Sequence, residues 1–237
     1  TPKTKMLILC SPSNPTGSVY TKEELKELAD VLAKYPQVYV VADEIYEHIS
    51  YVGKHESIAQ FEEIRERVII INGISKAYAM TGYRIGWLAC HDKDFITAVK
   101  RLQGQTISCA TTIAQKAAEA AYSGPQDCVE DMRQAFERRR NLIVGLAKEI
   151  PGMKVLEPQG AFYLFPDVSA FFGKQYNGQT IRNADELVTF LLQEAHVACV
   201  SGSAFGEDNC IRFSYATSED LIMEAMRRMK EALAKLV

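Results

Sequence analysis

Three short stretches of this chain are apolar at nearly every position: MLILC (6–10), VYVVAD (38–43) and RVIIING (67–73). A strand with one wet face alternates apolar and polar residues, whereas an unbroken apolar run belongs to a strand buried on both faces. A fourth stretch, YRIGWLAC (83–90), is similar. Between the first two lies a turn rich in Pro, Asn and Gly, SPSNPTG (11–17). A helical pattern then runs from Thr21 to about Lys34, opened by Thr21 with Glu24 three residues on, a capping box. Apolar strands separated by helices predict an α/β fold with a mostly parallel sheet covered on both faces.

The pattern changes after residue 90. Asp92 can cap a helix to about Leu102, and another follows from about Thr111 to Tyr122. Pro125, at a first-turn position, opens a long helix to about Glu149. Its apolar stripe is Val129, Met132, Phe136, Ile143 and Leu146. Arg138, Arg139 and Arg140 on that helix read as a solvated, partner-facing patch. The remainder mixes strands (GAFYLFP, VACV, IRFSYA) with helices at about 184–195 and 218–236, an α+β pattern. The expected division is therefore residues 1–124, part of a large domain, and residues 125–237, a linking helix and a smaller α+β domain.

Composition narrows the function. A net charge of -3 gives no general attraction to nucleic acid or to an anionic membrane surface. No apolar run approaches the ~20 residues of a membrane span, and no signal peptide is expected ahead of the first strand. The six cysteines (Cys10, Cys90, Cys109, Cys128, Cys199, Cys210) form no CxxC pair. Reduced thiols in a cytoplasm fit them better than a metal knuckle or a disulfide scaffold. His48, His55, His91 and His196 show no ligand spacing, so no metal site is expected and all four read as non-catalytic.

Four islands look too specific for packing: SPSNPTG (11–17), VADEIY (41–46), SKAYAMTGYRIGW (75–87) and IRFSYA (211–216). The first three fall at or beside the carboxyl ends of predicted strands, the edge at which parallel α/β sheets bind ligands. Within the third, Lys76 and Arg84 sit among small residues and aromatics. Two snorkelling surface side chains would explain them, and so would a reactive amine beside an anion-binding guanidinium. The stretch alone does not decide.

Taken together and in this order, the islands resemble the C-terminal part of a class I/II (fold-type-I) pyridoxal-phosphate-dependent aminotransferase, most like the bacterial aspartate aminotransferases. The resemblance implies that Lys76 holds the cofactor aldehyde covalently and later moves the substrate proton. A lysine amine is useful for this near neutrality only when desolvation or neighbouring cations favour its neutral form. It implies that Asp43 faces the pyridine nitrogen, that Tyr46 and Asn14 bond the ring's phenolic oxygen, and that Ser75 and Arg84 hold the phosphate. Arg212 would clamp the substrate carboxylate by its planar fork, assisted by Asn14. Pyridoxal 5'-phosphate is thus the implied cofactor. Transamination between aspartate and 2-oxoglutarate, in amino-acid metabolism, is the implied reaction, and a cytoplasmic homodimer the implied form. Glu44 and Glu47 gain nothing from the resemblance and read as structural or solvated.

The chain also departs from the family pattern. Ser201 precedes Gly202 in VSGSAFGED (200–208), where the family often has proline. GQTISCATT (104–112) lacks the arginine that one aspartate-specific subgroup uses across its dimer, with Arg101 the nearest candidate. A C–S lyase, a decarboxylase or a cyclopropane-forming synthase would keep the same lysine and aspartate, and a non-catalytic scaffold relative is the rival from another class. Family members carry well over a hundred residues ahead of the NPTG island. The expectation is therefore an incomplete sheet lacking its N-terminal strands, in a fragment that binds the cofactor poorly and is inactive alone.

Overall fold

The computed structural model describes residues 1–237. The chain divides into two compact units, Thr1–Ser13 with Ser18–Arg133, and Asn14–Gly17 with Gln134–Val237. The division falls inside the long helix rather than ahead of it at 124/125. The NPTG island groups with the second unit rather than with the strand it follows.

In the first unit, β1 (Met6–Cys10), α1 (Lys22–Ala33), β2 (Tyr39–Asp43), α2 (Glu62–Arg65), β3 (Val68–Gly73) and β4 (Gly86–Ala89) follow in order. The sheet runs β1-β2-β3-β4. The first three strands are parallel, with Cys10 opposite Asp43 and Asp43 opposite Ile71. β4 returns antiparallel to β3, with Gly86 opposite Gly73. A Cβ on Gly73 would lie 2.9 Å from the Gly86 Cα, so this crossing of backbones accounts for both glycines.

One face of this sheet is well covered. Leu9, Val40, Ala42 and Val68 pack against Leu25, Ala29 and Leu32 of α1 and against Ile58, Phe61 and Ile64. Burying each large side chain contributes about 1.5–3 kcal/mol. α1 starts where the sequence puts it: Thr21 Oγ1 accepts from the Glu24 amide at 3.2 Å, and the Thr21 amide donates to Glu24 Oε2 at 2.8 Å. We expect Thr21→Ala to cost about 1 kcal/mol in urea denaturation. No loss at all would show that the cap is idle.

The other face is covered only in part: Ile69 on it is buried and Tyr39 stacks on Phe95 with ring centres 6.4 Å apart. Met6, Ile8 and Ile71 point away from α1 and α2 and are exposed, Ile8 by 71%. α1 and α2 both pack on the Leu9 side. Of the later helices, α3 (Lys93–Thr106) buries no residue and α4 (Thr112–Ser123) only Ala114. The helix α5 (Asp127–Lys148) then begins two residues after Pro125, which stands before the helix rather than in its first turn.

The second unit is built on a three-stranded antiparallel sheet. Its strands are β5 (Tyr163–Leu164), β8 (Val200–Ser201) and β9 (Ile211–Ser214), in the order β5-β9-β8. The hairpin of β6 (Gln175–Tyr176) and β7 (Gln179–Thr180) turns through Asn177 and Gly178, both at positive φ, the Asn-Gly signal for a tight turn. α6 (Ala184–Phe190) continues into one π-helical turn, Leu191–Ala195, and α7 (Glu219–Leu233) closes the unit. Leu164, Leu187, Leu191, Ile211, Tyr215 and Met229 are fully buried here.

Arg140 corrects another expectation. Arg138 is exposed, but Arg140 is only 8% exposed. Its Nη1 donates to the Pro158 carbonyl at 2.7 Å and lies 3.1 Å from Glu157 Oε1. A buried guanidinium needs such partners, and these come from residues far along the chain. No helix is long and apolar enough to cross a membrane.

Candidate active site

β2 and β3 deliver the first group of side chains. Asp43 is the last residue of β2, and the chain turns at once: Ile45 N–H donates to Asp43 Oδ1 at 3.3 Å, and Ile49 N–H to the Tyr46 carbonyl at 2.8 Å. The tight turn leaves Tyr46 buried beside the strand end. β3 ends at Gly73, and Ile74 and Ala77 anchor the next loop in the interior while Ser75 and Lys76 between them stay half-buried. Lys76 Nζ lies 5.8 Å from the centre of the Tyr46 ring. Two islands separated in sequence therefore meet at the carboxyl ends of adjacent parallel strands, where an α/β sheet binds ligands.

Arg84 closes that loop differently from the others. It is exposed, and its Nη1 donates to the Thr81 carbonyl at 2.9 Å. Its backbone is left-handed (φ 53, ψ 48), as is that of Ala79 (φ 52). Two non-glycine residues in this conformation within six positions of each other mark backbone strain of the kind that collects at working sites.

The second unit holds its own group. Arg212 on β9 donates from Nη1 to Asn14 Oδ1 at 2.8 Å. Its guanidinium carbon lies 4.6 Å from the Tyr163 ring centre and 4.8 Å from that of Phe205. Stacking on aromatic faces fixes the plane of the fork and removes water from it. The Arg212 Nε is buried and has no hydrogen-bond partner. A donor left so is expensive unless something else completes it.

The NPTG loop is held to this unit by its glycine. The Gly17 carbonyl accepts from the amides of Gln159 and Gly160, each at 2.8 Å. Gly17 has φ +70, and a Cβ there would come 2.5 Å from the Pro158 Cβ, so only glycine fits. Ser201, at the departure from the family pattern, caps a short helical turn by accepting from the Ser203 amide at 3.3 Å. That turn carries Phe205 to Arg212.

The structure thus brings Asp43, Tyr46, Ser75 and Lys76 together in one unit and Asn14 and Arg212 in the other. Sequence reasoning missed Tyr163 and Phe205, which flank Arg212. The aromatic-rich run GAFYLFP was the available signal for the first, and nothing local marked the second. Glu44, read as structural or solvated, is buried, accepts from Ser57 Oγ at 2.6 Å and lies 3.3 Å from His55 Nε2. All six cysteines are free. Burial pushes the Cys199 thiol up to about 12, which keeps it protonated and unreactive. A cavity of about 740 Å³ opens between the β6–β7 hairpin and α6, and none of the residues above lines it.

Comparison with known proteins adds the following. The family model for class I and II aminotransferases matches residues 1–229. The chain is 50% identical over 234 residues to an aspartate aminotransferase of Geobacillus stearothermophilus, covering 97% of this chain and 57% of that protein. It is 46% identical over 242 residues to a bifunctional aspartate aminotransferase and glutamate/aspartate-prephenate aminotransferase of Petunia hybrida, covering 100% of this chain and 50% of that protein. Among solved structures, the aspartate aminotransferase of Rhizobium meliloti superposes with a TM-score of 0.95 at 40% identity, over 100% of this chain and 60% of that one. The chain therefore spans between half and 60% of the length of these relatives.

Proposed function

We infer the function from one established fact: the chain belongs to the class I and II aminotransferase family. We propose that the protein carrying it transfers an amino group between an amino acid and a 2-oxo acid, with aspartate and 2-oxoglutarate as the pair. The Geobacillus and Rhizobium relatives are aspartate aminotransferases, which supports aspartate as donor. The observation that carries the reading is Lys76 held 5.8 Å from the Tyr46 ring, on the loop beside the strand end that bears Asp43.

The donor set fits pyridoxal 5'-phosphate. Lys76 offers an amine for its aldehyde, Asp43 a carboxylate for its ring nitrogen, Tyr46 a phenol for its ring oxygen, and Ser75 with Arg84 a hydroxyl and a guanidinium for its phosphate. When bound, the cofactor supplies an electron sink that acidifies the α-carbon proton of the amino acid. Lys76 Nζ moves that proton at the substrate α-carbon. Asp43 keeps a proton on the ring nitrogen by placing a negative charge against it. Arg212, its plane fixed by Tyr163 and Phe205, offers its guanidinium to a substrate carboxylate. Asn14, with its oxygen engaged by Arg212, has an amide donor for the same group or for the ring oxygen.

The reading includes a cytoplasmic homodimer. Six free cysteines suit a reducing compartment. The exposed Leu102, Ile107 and Ile113, on and between helices that bury almost nothing, offer an apolar surface to a second copy.

The test is to supply the protein and cofactor with aspartate and 2-oxoglutarate. Oxaloacetate and glutamate in equal amounts support transfer, whereas ammonia or carbon dioxide would assign a lyase or a decarboxylase. No turnover by a protein that binds the cofactor would favour a non-catalytic scaffold. Arg212→Lys keeps the charge but loses the fork, and should weaken carboxylate substrates by about 1.5–3 kcal/mol in kcat/KM. Unchanged kcat/KM would remove Arg212 from the substrate site.

A further inference from the structure

Asn72 is an amide inside an apolar strand, and it is 4% exposed. Its Oδ1 accepts from the Gly73 amide at 2.7 Å, and its Nδ2 donates to Glu47 Oε1 at 2.8 Å. Glu47 belongs to the turn that follows β2, one residue past Tyr46. A buried side chain engaged at both ends is a strong geometric restraint, because breaking either bond leaves a desolvated polar group.

The link does not stand alone. Tyr46, Glu47 and His48 are consecutive, and each meets the segment that runs out of β3. Tyr46 meets Lys76, Glu47 meets Asn72, and the His48 ring packs edge-on to Tyr78 with centroids 6.5 Å apart. His48 Nε2 also lies 3.2 Å from Glu47 Oε1. Burial pushes the Glu47 carboxyl up, but its bonds from His48 and Asn72 and the nearby His55 outweigh that and hold it below the usual carboxylate range. Glu47 in turn raises His48 above the usual imidazole value, against the opposing effect of burial. The carboxylate is therefore kept ionised and in place as an acceptor.

We propose that Glu47 and Asn72 form a positioning clamp, which fixes the loop carrying Ser75 and Lys76 against the turn carrying Asp43 and Tyr46. The clamp touches neither substrate nor cofactor. It sets the reach of Lys76 Nζ relative to the Asp43 carboxylate, and small errors in such a reach are costly to proton transfer. The proposal rests on the reading of Lys76 and Asp43 as cofactor residues.

The experiment uses the cofactor-loaded protein and compares Glu47→Ala, Glu47→Asp and Glu47→Gln. Glutamine keeps an oxygen for Asn72, whereas aspartate keeps the charge but is a methylene too short. We expect Ala and Asp to lower kcat about 10-fold with KM for the amino acid nearly unchanged. Both should also move the pH midpoint of the bound cofactor's absorbance, and Gln should restore both values. Glu47→Asp supplies the reading if the alanine variant does not fold. A kcat and midpoint unchanged in all three variants would overturn the clamp. So would a drop in melting temperature with no change of midpoint, because that is a structural role only. Lys76→Ala, measured alongside, separates the two ideas: retained turnover there defeats the reading of the site itself, whatever Glu47 does.

Discussion

Lys76→Ala should lower transamination by about 10⁴-fold or more, because in the proposed function it removes the covalent anchor of the cofactor and the base that moves the substrate proton together. The long-wavelength absorbance that reports the lysine-bound cofactor should vanish in the same variant. Initial rates with aspartate and 2-oxoglutarate, and a spectrum of the loaded protein, are the measurements. The substitution is mild for the fold: Lys76 is half-buried in a loop whose anchors, Ile74 and Ala77, stay in place. A rate within tenfold of the parent would take Lys76 out of the chemistry.

Asp43→Asn should be the next largest effect. It keeps the shape at the end of β2 and an oxygen for the Ile45 amide, so the turn survives while the negative charge goes. Losing one preorganised charged partner of a developing charge costs about 10²–10³-fold in kcat. KM for the amino acid should move little, since Asp43 is read as acting on the ring rather than on the substrate. The decisive comparison is kcat against KM: a raised KM with an unchanged kcat would give Asp43 a different task.

The position of both residues at a strand end was legible before any coordinates, although the roles proposed for them came from the four islands taken together rather than from either stretch alone. Asp43 and Lys76 each stand just past an unbroken apolar run, and such runs announce buried parallel strands. Thr21 and Glu24 likewise wrote the start of α1 into four residues. The features that were not legible depend on distant partners. Arg140 sits in a run of three arginines and looks solvated, yet its acceptor is the Pro158 carbonyl. β5 and β8 are two residues long and exist as strands only through their pairing with β9. VACV was expected to be a strand throughout, but only its last residue joins the sheet. Glu47 reads from the sequence only as structural or solvated, because nothing in VADEIYE points to Asn72, twenty-five residues away. The thin cover on one side of the sheet was not legible for the opposite reason. Apolar composition says that a strand prefers two covered faces, and is silent on which elements do the covering.

The grouping of Asn14–Gly17 with the second unit has a consequence for how such a protein can be divided or recombined. A single cut at 133/134 would not yield two self-sufficient modules, because the latter piece would leave behind the carbonyl that anchors residues 159 and 160 and the amide that orients Arg212. The second unit is discontinuous, with four of its residues threaded through the sequence of the first. Shuffling the C-terminal halves of related chains therefore exchanges Arg212, proposed for the substrate carboxylate, without its Asn14 partner. The exchange should succeed only where the NPTG loop travels with it or is already matched.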